Sequence, residues 1–212
     1  DKRVRLAVDE ADLCALREMV GDTRLDRLIV IHPGRHWKTK TFPVAWWQAI
    51  IDGLVALGHE VCIIGKHFAP TDATEDRRGT VPVVSPPGVI DLRNKLSLGE
   101  LIALLSQAGV LLSNDSAPVH LAGAFEHWIV LIPSCKHPEH VLPYRHGGTA
   151  WKTRALAKRL TLDDVSARPT DVHGTSADFV VTDWSRYLLD PADVVAQVAS
   201  LEEGCDANAS LG

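Results

Sequence analysis

The sequence lacks any apolar run long enough to cross a lipid bilayer. Its apolar runs, such as those at residues 28–31 and 128–133, have the length of a β-strand, whereas a spanning helix needs about 20 apolar residues. It also lacks an excess of positive charge, because 22 Lys and Arg stand against 27 Asp and Glu and leave a net charge of −5. We therefore predict no membrane span and no nucleic-acid partner, and any anion site has to be local.

Cysteine is scarce, and no C-x-x-C pair occurs. The four cysteines, Cys14, Cys62, Cys135 and Cys205, are spread singly, which argues against a zinc knuckle or a disulfide framework. This pattern favours a cytoplasmic location, with a peripheral position at the inner membrane as the second expectation. The chain opens without an initiating Met or an apolar leader, so we expect that it begins inside a longer gene product.

Strand and helix patterns alternate along the chain, which is 46% hydrophobic and 23% charged as is typical of globular proteins. The alternation predicts an α/β fold, a Rossmann-like doubly wound parallel sheet with helices on both faces. We expect Ser97 and Glu100 to form a capping box at the third helix. The predicted strands cover residues 28–31, 60–64, 81–84, 90–92, 110–113 and 128–132, and the predicted helices cover 11–20, 43–57, 98–108, 118–125, 152–160 and 191–201.

The same patterns divide the chain into three parts. We interpret residues 1–27 as a linker with a short helix, 28–201 as the Rossmann-like domain and 202–212 as a frayed tail. Within the domain, residues 134–183 form a long irregular segment rich in His, Pro and Gly. A segment of this kind usually carries function or covers a neighbouring element.

The turn at residues 113–120, with the sequence S-N-D-S-A-P-V-H, is the strongest candidate ligand site. It follows a predicted strand, and ligands of open α/β sheets bind at the carboxyl ends of strands. Asp115 or Ser116 is expected to cap the next helix, whose free N–H groups favour a diphosphate. His120 lies one helical turn after Ser116, so both side chains are expected to face the same ligand. A capped helix with a buried structural histidine is the other interpretation.

A basic loop at residues 32–40 follows the first strand and leads to the same edge of the sheet. Its cations Arg35, Lys38 and Lys40 suit phosphate oxygens, and Trp37 is a weaker candidate for stacking on a nucleotide base. A solvated basic loop is the alternative. Neither G-x-G-x-x-G nor G-x-x-x-x-G-K-[ST] occurs, which argues against an ordinary NAD dehydrogenase or a P-loop NTPase.

Several potential metal ligands cluster at residues 135–146. His137, Glu139 and His140 stand in an H-P-E-H sequence near Cys135 and His146. Proline opposes the helical display that a metallohydrolase motif requires, so we expect neither a metal nor another cofactor.

Five short motifs, taken in order, carry a resemblance to a known family. H-P-G at 32–34 and K-T-F-P at 40–43 resemble its strand-ending H-P-G and its K-x-W-P, and G-H-E-V-C-I-I-G at 58–65 is similar to its G-x-x-V-V-L-x-G. D-L-R-N-K-L-S-L-G-E-L at 91–101 and N-D-S-A-P-V-H at 114–120 resemble D-L-x-G-K-T-S-L-x-E-L and N-D-T-G-P-M-H. Over about residues 1–200 the chain thus resembles the C-terminal, donor-binding half of the ADP-heptose lipopolysaccharide heptosyltransferases, glycosyltransferase family 9, with a GT-B fold.

The resemblance implies an enzyme that transfers a sugar with inversion from a nucleotide-diphosphate donor, most simply an ADP-heptose-like donor. The acceptor would be a glycan or glycolipid of the lipopolysaccharide type. The family's lysine holds donor phosphate, so Lys40 and His120 are expected to stabilise the leaving group. The general base would come from an N-terminal half or a partner chain. The expected donor-binding residues are His32, Pro33, Gly34, Arg35, Lys38, Lys40, Asn114, Asp115, Ser116, Ala117, Pro118 and His120.

Two further expectations depend on this resemblance. Ala117 replaces a family glycine and brings a Cβ close to the expected phosphate, and Asn94 replaces a loop glycine, which asparagine tolerates because it readily adopts positive φ. The segment that begins at residue 134 is expected to border the donor sugar or the cleft between two domains. The alternative function is a non-catalytic module that binds a nucleotide or a partner protein.

Overall fold

The computed structural model describes residues 4–35, 40–66, 79–134, 137–156, 184–186 and 188–209. A six-stranded parallel sheet lies at its centre. Its strands are β1 (Ile29–His32), β3 (Val61–Ile63), β5 (Ile90–Asp91), β6 (Val110–Asn114), β7 (Trp128–Ile132) and β8 (Thr153–Ala155). Their order across the sheet is β5-β3-β1-β6-β7-β8. Strand order therefore reverses between β1 and β6, which is the place where open α/β sheets bind ligands. The short strands β2 (Gly34–Arg35) and β4 (Gly79–Thr80) pair antiparallel with each other.

Helices cover both faces of the sheet. Ile29 and Ile31 of β1 pack in one hydrophobic cluster with residues of two helices, while Leu28 and Val30 pack in a second cluster with three others. This alternation follows from the two-residue period of a strand that is buried on both faces. The two helices of the first cluster are α2 (Val44–Ala56) and α5 (Pro191–Ala209). The three helices of the second cluster are α1 (Glu10–Val20), α3 (Leu98–Gln107) and α4 (Ala117–Ala122). The predicted Rossmann-like fold class is confirmed.

Local sequence signals set several helix ends as expected. Ser97 Oγ accepts the N–H of Glu100 at 3.1 Å, and a Glu100 carboxylate oxygen accepts the N–H of Ser97 at 2.6 Å. The predicted capping box is therefore present, and it lowers the pKa of Glu100. The short N-terminal helix is present as α1, and its Leu16 is fully buried in the cluster that includes α3. Among the described residues, no helix is both long and apolar enough to cross a membrane.

The strand predicted at residues 81–84 is wrong. Strand β4 ends at Thr80. Val81 still donates its N–H to the carbonyl of Pro33 at 2.9 Å, but the residues after it bond to side chains and to Val81 rather than to a neighbouring strand. Arg93 donates to the carbonyl of Val83 at 2.8 Å, and the N–H of Val84 donates to the side chain of Gln48 at 2.8 Å. The apolar residues of this segment indicate burial rather than a strand, since Val81 and Val83 lie in the core but belong to no described strand.

The short basic helix predicted at residues 152–160 is also wrong where the structure describes it. Residues Thr153–Ala155 form β8, which pairs parallel with β7, and residues 157–160 lie outside the described residues. Pairing with β7 overrides the helix propensity of these residues, because the edge of β7 supplies hydrogen-bond partners that a local pattern does not reveal.

Two helix ends differ from prediction. The tail expected to fray from residue 202 continues α5 to Ala209, and Glu202 is buried against Arg27 at 2.5 Å and His59 at 3.3 Å. Residues 210–212 lie outside the described residues. Helix α4 stops at Ala122 rather than at residue 125, because residues 123–125 donate their N–H groups to carbonyls three residues back, at 3.0–3.2 Å, and no longer four residues back.

Candidate functional site

A cavity of about 400 Å³ lies at the carboxyl ends of β1, β3 and β6. Its position at the reversal of strand order is the one that the fold class favours for a ligand. It is lined by His32, Gly34, Arg35, Ile64, Gly65, Lys66, Gly79, Leu101, Asn114, Asp115, Ser116, Ala117 and Pro118.

His32, the last residue of β1, forms the buried centre of the cavity wall. Burial lowers its pKa to about 4, so the imidazole is neutral at physiological pH. Its Nδ1 lies 3.0 Å from Ser116 Oγ and 3.3 Å from Ser113 Oγ. Gly65, at φ +117°, lies against the ring, and a Cβ there would come within 2.8 Å of the imidazole. His32 is therefore a packed hydrogen-bonding group rather than a cation for phosphate.

Ser116 precedes α4 but does not cap it through its side chain. Ser116, one of the two residues expected to cap α4, is its N-cap residue, but its hydroxyl makes no hydrogen bond to the first turn. The hydroxyl turns back instead, donating to the carbonyl of Asn114 at 3.1 Å and lying 2.9 Å from Ser113 Oγ. The turn and β1 are thereby held together by a hydroxyl and imidazole network.

Asn114 ties the two predicted loops together. Its Nδ2 donates to the carbonyls of Gly34 at 2.9 Å and Lys40 at 2.7 Å, and its Oδ1 is buried without a hydrogen-bond partner among the described residues. Gly34 has no room for a side chain, because a Cβ there would overlap Asn114 Oδ1. The close approach that the two loops require is thus built from a glycine and a carboxamide.

Lys40 and Asp115 form an ion pair beside the cavity. The distance from Lys40 Nζ to Asp115 Oδ2 is 2.5 Å, and the side chains are only 10% and 8% exposed. Asp115 lines the cavity, whereas Lys40 does not. The lysine predicted to face phosphate therefore faces a carboxylate.

Most of the predicted donor-binding residues come together at the cavity. Pro33 is buried next to it and accepts the N–H of Val81 through its carbonyl at 2.9 Å. His120 is exposed on α4 and is not part of the lining, and Lys38 and Trp37 lie outside the described residues. The lining residues that were predicted are His32, Gly34, Arg35, Asn114, Asp115, Ser116, Ala117 and Pro118.

Five lining residues were missed by the sequence analysis. Ile64, Gly65 and Lys66 follow β3, and the rule that selects the ends of β1 and β6 also applies to them. Gly79 enters through the pairing of β4 with β2, and Leu101 enters from α3. Leu101 ends one of the motifs quoted above but was not named as a site residue, and Gly79 lies in none of them.

The histidines considered as metal ligands have other neighbours. His146 contacts the carboxylate of Glu126 at 3.0 Å, and His137 Nδ1 accepts the N–H of Glu139 at 3.4 Å. Cys135 lies outside the described residues. Within the described ranges, no three His, Cys, Asp or Glu side chains converge on a point that would hold a metal ion.

Two solved structures share this arrangement of sheet and helices, and both are glycosyltransferases. A glycosyl transferase family 9 protein from Veillonella parvula matches with a TM-score of 0.65 and 18% identity, over 95% of this chain and 54% of its own. The E. coli ADP-heptose lps heptosyltransferase II matches with a TM-score of 0.61 and 14% identity, over 94% of this chain and 54% of its own. The fold is therefore that of one half of a glycosyltransferase.

The sequence itself defines the family. The family model described as glycosyltransferase family 9 (heptosyltransferase) matches residues 3–161, and the chain belongs to this family. No curated protein matches the chain. The chain spans about half the length of the solved relatives that it matches.

Proposed function

We propose that this chain binds a nucleotide-diphosphate sugar in the cavity and acts as the donor-binding half of an inverting glycosyltransferase. One observation carries the proposal. Asn114 joins the two loops predicted to bind an anion, at residues 32–40 and 113–120, at the edge of a cavity that lies where strand order reverses. Family membership supports transfer of a glycosyl group as the reaction class.

The cavity offers two kinds of surface to such a donor. Ile64, Leu101 and Pro118 provide apolar contacts that suit the face of a base, and Arg35 and Lys66 provide positive charge that suits a diphosphate. We infer an ADP-linked sugar as donor, because the E. coli relative is named for ADP-heptose. The inferred acceptor is a glycan or glycolipid of the lipopolysaccharide type.

The proposed reaction breaks the bond between the anomeric carbon and the diphosphate while an acceptor oxygen attacks the opposite face of the sugar. A general base takes the acceptor proton, and we infer that it belongs to the other half of the protein or to a partner chain. Negative charge grows on the departing diphosphate, and fixed cations and N–H donors stabilise it. His120, one turn beyond the cavity on α4, is proposed to reach the part of the donor that extends out of it. The effect of Lys40 depends on Asp115, which its ammonium group faces.

Calorimetric titration of the chain with ADP, UDP and GDP tests the proposed ligand class, and ADP is expected to bind most tightly. A site-specific variant is Ala117→Glu, because Ala117 is exposed, lines the cavity and begins α4. An acidic residue is favourable in the first turn of a helix, so the fold is expected to persist while ADP affinity falls more than tenfold. Ala192→Glu adds the same charge in the first turn of α5, outside the cavity lining, and is the matched control.

The outcomes of this titration separate two errors. Absence of binding by all three nucleotides would reject the proposed function, and binding that Ala117→Glu leaves unchanged would reject the site. Donor turnover by the complete gene product distinguishes the transferase from the alternative, a non-catalytic nucleotide-binding module.

A further inference from the structure

His32 carries a ring nitrogen that the fold leaves without a hydrogen bond. The ring lines the cavity, and its Nδ1 contacts the hydroxyls of Ser116 and Ser113. Its Nε2 makes no hydrogen bond with any residue in the described part of the chain. The ring nitrogens of His127 also lack partners there, but they are fully buried, whereas Nε2 of His32 is not. Nε2 is therefore open to the cavity that the ring lines.

Two glycines leave the Nε2 edge of this ring uncovered. A Cβ at Gly34 would lie 2.8 Å from Cε1 of His32, and a Cβ at Gly65 would lie 2.8 Å from its Cδ2 and 3.0 Å from its Nε2. Cε1 and Cδ2 are the two carbon atoms bonded to Nε2, and both glycines line the cavity. A side chain at either position would crowd the atom that the glycines leave accessible.

The serine hydroxyls decide which nitrogen of His32 carries its proton. Ser113 Oγ and Ser116 Oγ donate to the carbonyl of Asn114 at 2.9 Å and 3.1 Å. A hydroxyl has a single hydrogen, so neither serine has one left for the imidazole. The hydrogen between His32 Nδ1 and Ser116 Oγ, which are 3.0 Å apart, then comes from the ring. The network therefore places the proton on Nδ1.

Nε2 of His32 is consequently a hydrogen-bond acceptor. A neutral imidazole has one N–H group and one acceptor nitrogen, and burial keeps this ring neutral by lowering its pKa to about 4. Phosphate oxygens are acceptors as well, so an ionised diphosphate offers Nε2 no hydrogen. The ligand groups that do offer one are hydroxyl and amino groups.

We propose that Nε2 of His32 accepts a hydrogen bond from a hydroxyl or amino group of the ligand, which makes His32 a specificity-determining residue of the cavity. The inference rests on the proposed function, in which the ligand is a nucleotide-diphosphate sugar. Such a ligand carries these groups on its base, its ribose and its sugar. His32 thus recognises a neutral part of the donor and not the diphosphate.

Nitrogen-15 NMR of the histidine side chains tests the tautomer without any ligand. The proton of the His32 ring is expected on Nδ1 at pH 7, and the signals of this ring are assigned by their absence from a His32 variant. A proton on Nε2 would make that nitrogen a donor and would overturn the inference.

Two substitutions separate the two ring nitrogens. In His32→Asn, the carboxamide lies near the position of Nδ1 and can still donate to Ser116, but no group replaces Nε2. In His32→Gln, the longer side chain brings a carboxamide oxygen near the position of Nε2. His127→Asn is the matched control, because His127 is also buried and neutral but lies outside the cavity lining. A thermal melt of each variant checks that it is folded.

Calorimetry then compares ADP with ligands that differ from it by one group. Purine riboside diphosphate lacks the amino group of the base, 2′-deoxy-ADP and 3′-deoxy-ADP each lack one ribose hydroxyl, and ADP-glucose adds a sugar. The original chain is expected to prefer the ligand that contains the recognised group by about tenfold over its counterpart without it. This preference is expected to fall below about twofold in His32→Asn, to stay above about threefold in His32→Gln and to be unchanged in His127→Asn.

The failures of the two proposals are distinguishable. Loss of one of these preferences in His32→Asn would support the inference and identify the group that Nε2 recognises. Equal weakening of all five ligands in His32→Asn, or no weakening of any, would reject the inference and leave the proposed function standing. Absence of binding by every ligand to the original chain would reject both.

Discussion

Two regions of the molecule bury polar side chains, and they do so in opposite ways. At the cavity, His32 bonds to serine hydroxyls and Asn114 bonds to carbonyls of the basic loop. Lys40 and Asp115 pair with each other beside the same open space. Beneath the loop between β7 and β8, Arg145 donates to four backbone carbonyls, those of Phe125, His127, Trp151 and Lys152, at 2.7–3.0 Å.

The difference shows that burial of a charge does not by itself mark a functional site. The guanidinium of Arg145 has no terminal N–H group left for a ligand, since both terminal nitrogens bond to two carbonyls each. Its role is to hold the loop, and burial lowers its pKa to about 10 without removing its charge at neutral pH. Arg145 also lines a second cavity, of about 240 Å³, but its terminal N–H groups are already bonded, whereas the first cavity is lined by the exposed cations Arg35 and Lys66.

The largest expected effect is a loss of stability in the loop around Arg145 that leaves the cavity unaffected. Arg145→Met removes four hydrogen bonds to backbone carbonyls and leaves those of Phe125, His127 and Trp151 without the donors that Arg145 supplies, so we expect a loss of about 4 kcal/mol in the free energy of unfolding. Urea denaturation measures this loss, and ADP affinity of the folded fraction is expected to stay within about twofold. The control is Arg154→Met, which replaces an exposed cation on β8. We expect it to lower the free energy of unfolding by less than about 0.5 kcal/mol. A loss below about 1 kcal/mol for Arg145→Met would contradict the structural role.

A smaller effect is expected at the cavity. Asp115→Ala leaves the Lys40 ammonium buried without its carboxylate, and we expect a loss of about 3 kcal/mol in the free energy of unfolding. Adding Lys40→Met to Asp115→Ala is expected to restore at least half of this loss, because no buried charge remains. Additive losses in this double-mutant cycle would show that the two side chains do not interact.

The smallest expected effect compares the buried histidines of the two regions by pH. Burial lowers the pKa of His127 to about 3, with a further contribution from Arg145, and lowers that of His32 to about 4. The unfolded chain takes up protons near pH 6.5 while the folded chain does not, so each histidine reduces stability as pH falls below 6.5. Between pH 7 and pH 5 each one is expected to cost about 2 kcal/mol.

Denaturation of two variants at pH 7 and pH 5 measures this effect. His127→Phe is expected to remove its share of the acid sensitivity at little cost at pH 7, because neither ring nitrogen of His127 has a hydrogen-bond partner among the described residues. His32→Phe is expected to remove a similar share but to lose stability at pH 7, since its Nδ1 bonds to Ser116. Equal acid sensitivity in the original chain and in His127→Phe would contradict the buried neutral state.

Local signals predicted most of the fold. The apolar run at β1, the capping box at α3 and the proline and glycine that bracket α2 each depend on residues close in sequence. Predictions were wrong where distant partners decide the structure. Strand β8 forms on the edge of β7, and Glu202, where the tail was expected to begin, is buried within α5 against Arg27 and His59 from far along the chain.

The candidate site was predictable in position but not in its internal contacts. The carboxyl ends of β1 and β6 were found because parallel strands bring their ends to one edge of a sheet. The contacts of individual side chains were not: Ser116 stands at the N-cap of α4, one of the two positions expected, but its hydroxyl bonds to His32 and not to the helix. Lys66 follows the carboxyl end of β3, and Thr80 of β4 bonds to its carbonyl.

The sequence by itself determined the order of strands and helices, the family and the edge of the sheet at which a ligand is expected, because periodicity, caps and motifs are encoded in neighbouring residues. Tertiary structure alone decided which cations face the cavity. Lys40 and Arg35 lie in the same basic loop, yet Lys40 is buried in an ion pair with Asp115, which follows β6, while Arg35 is exposed. Charge pairing depends on distances in space, and those are set only when the strands pack together.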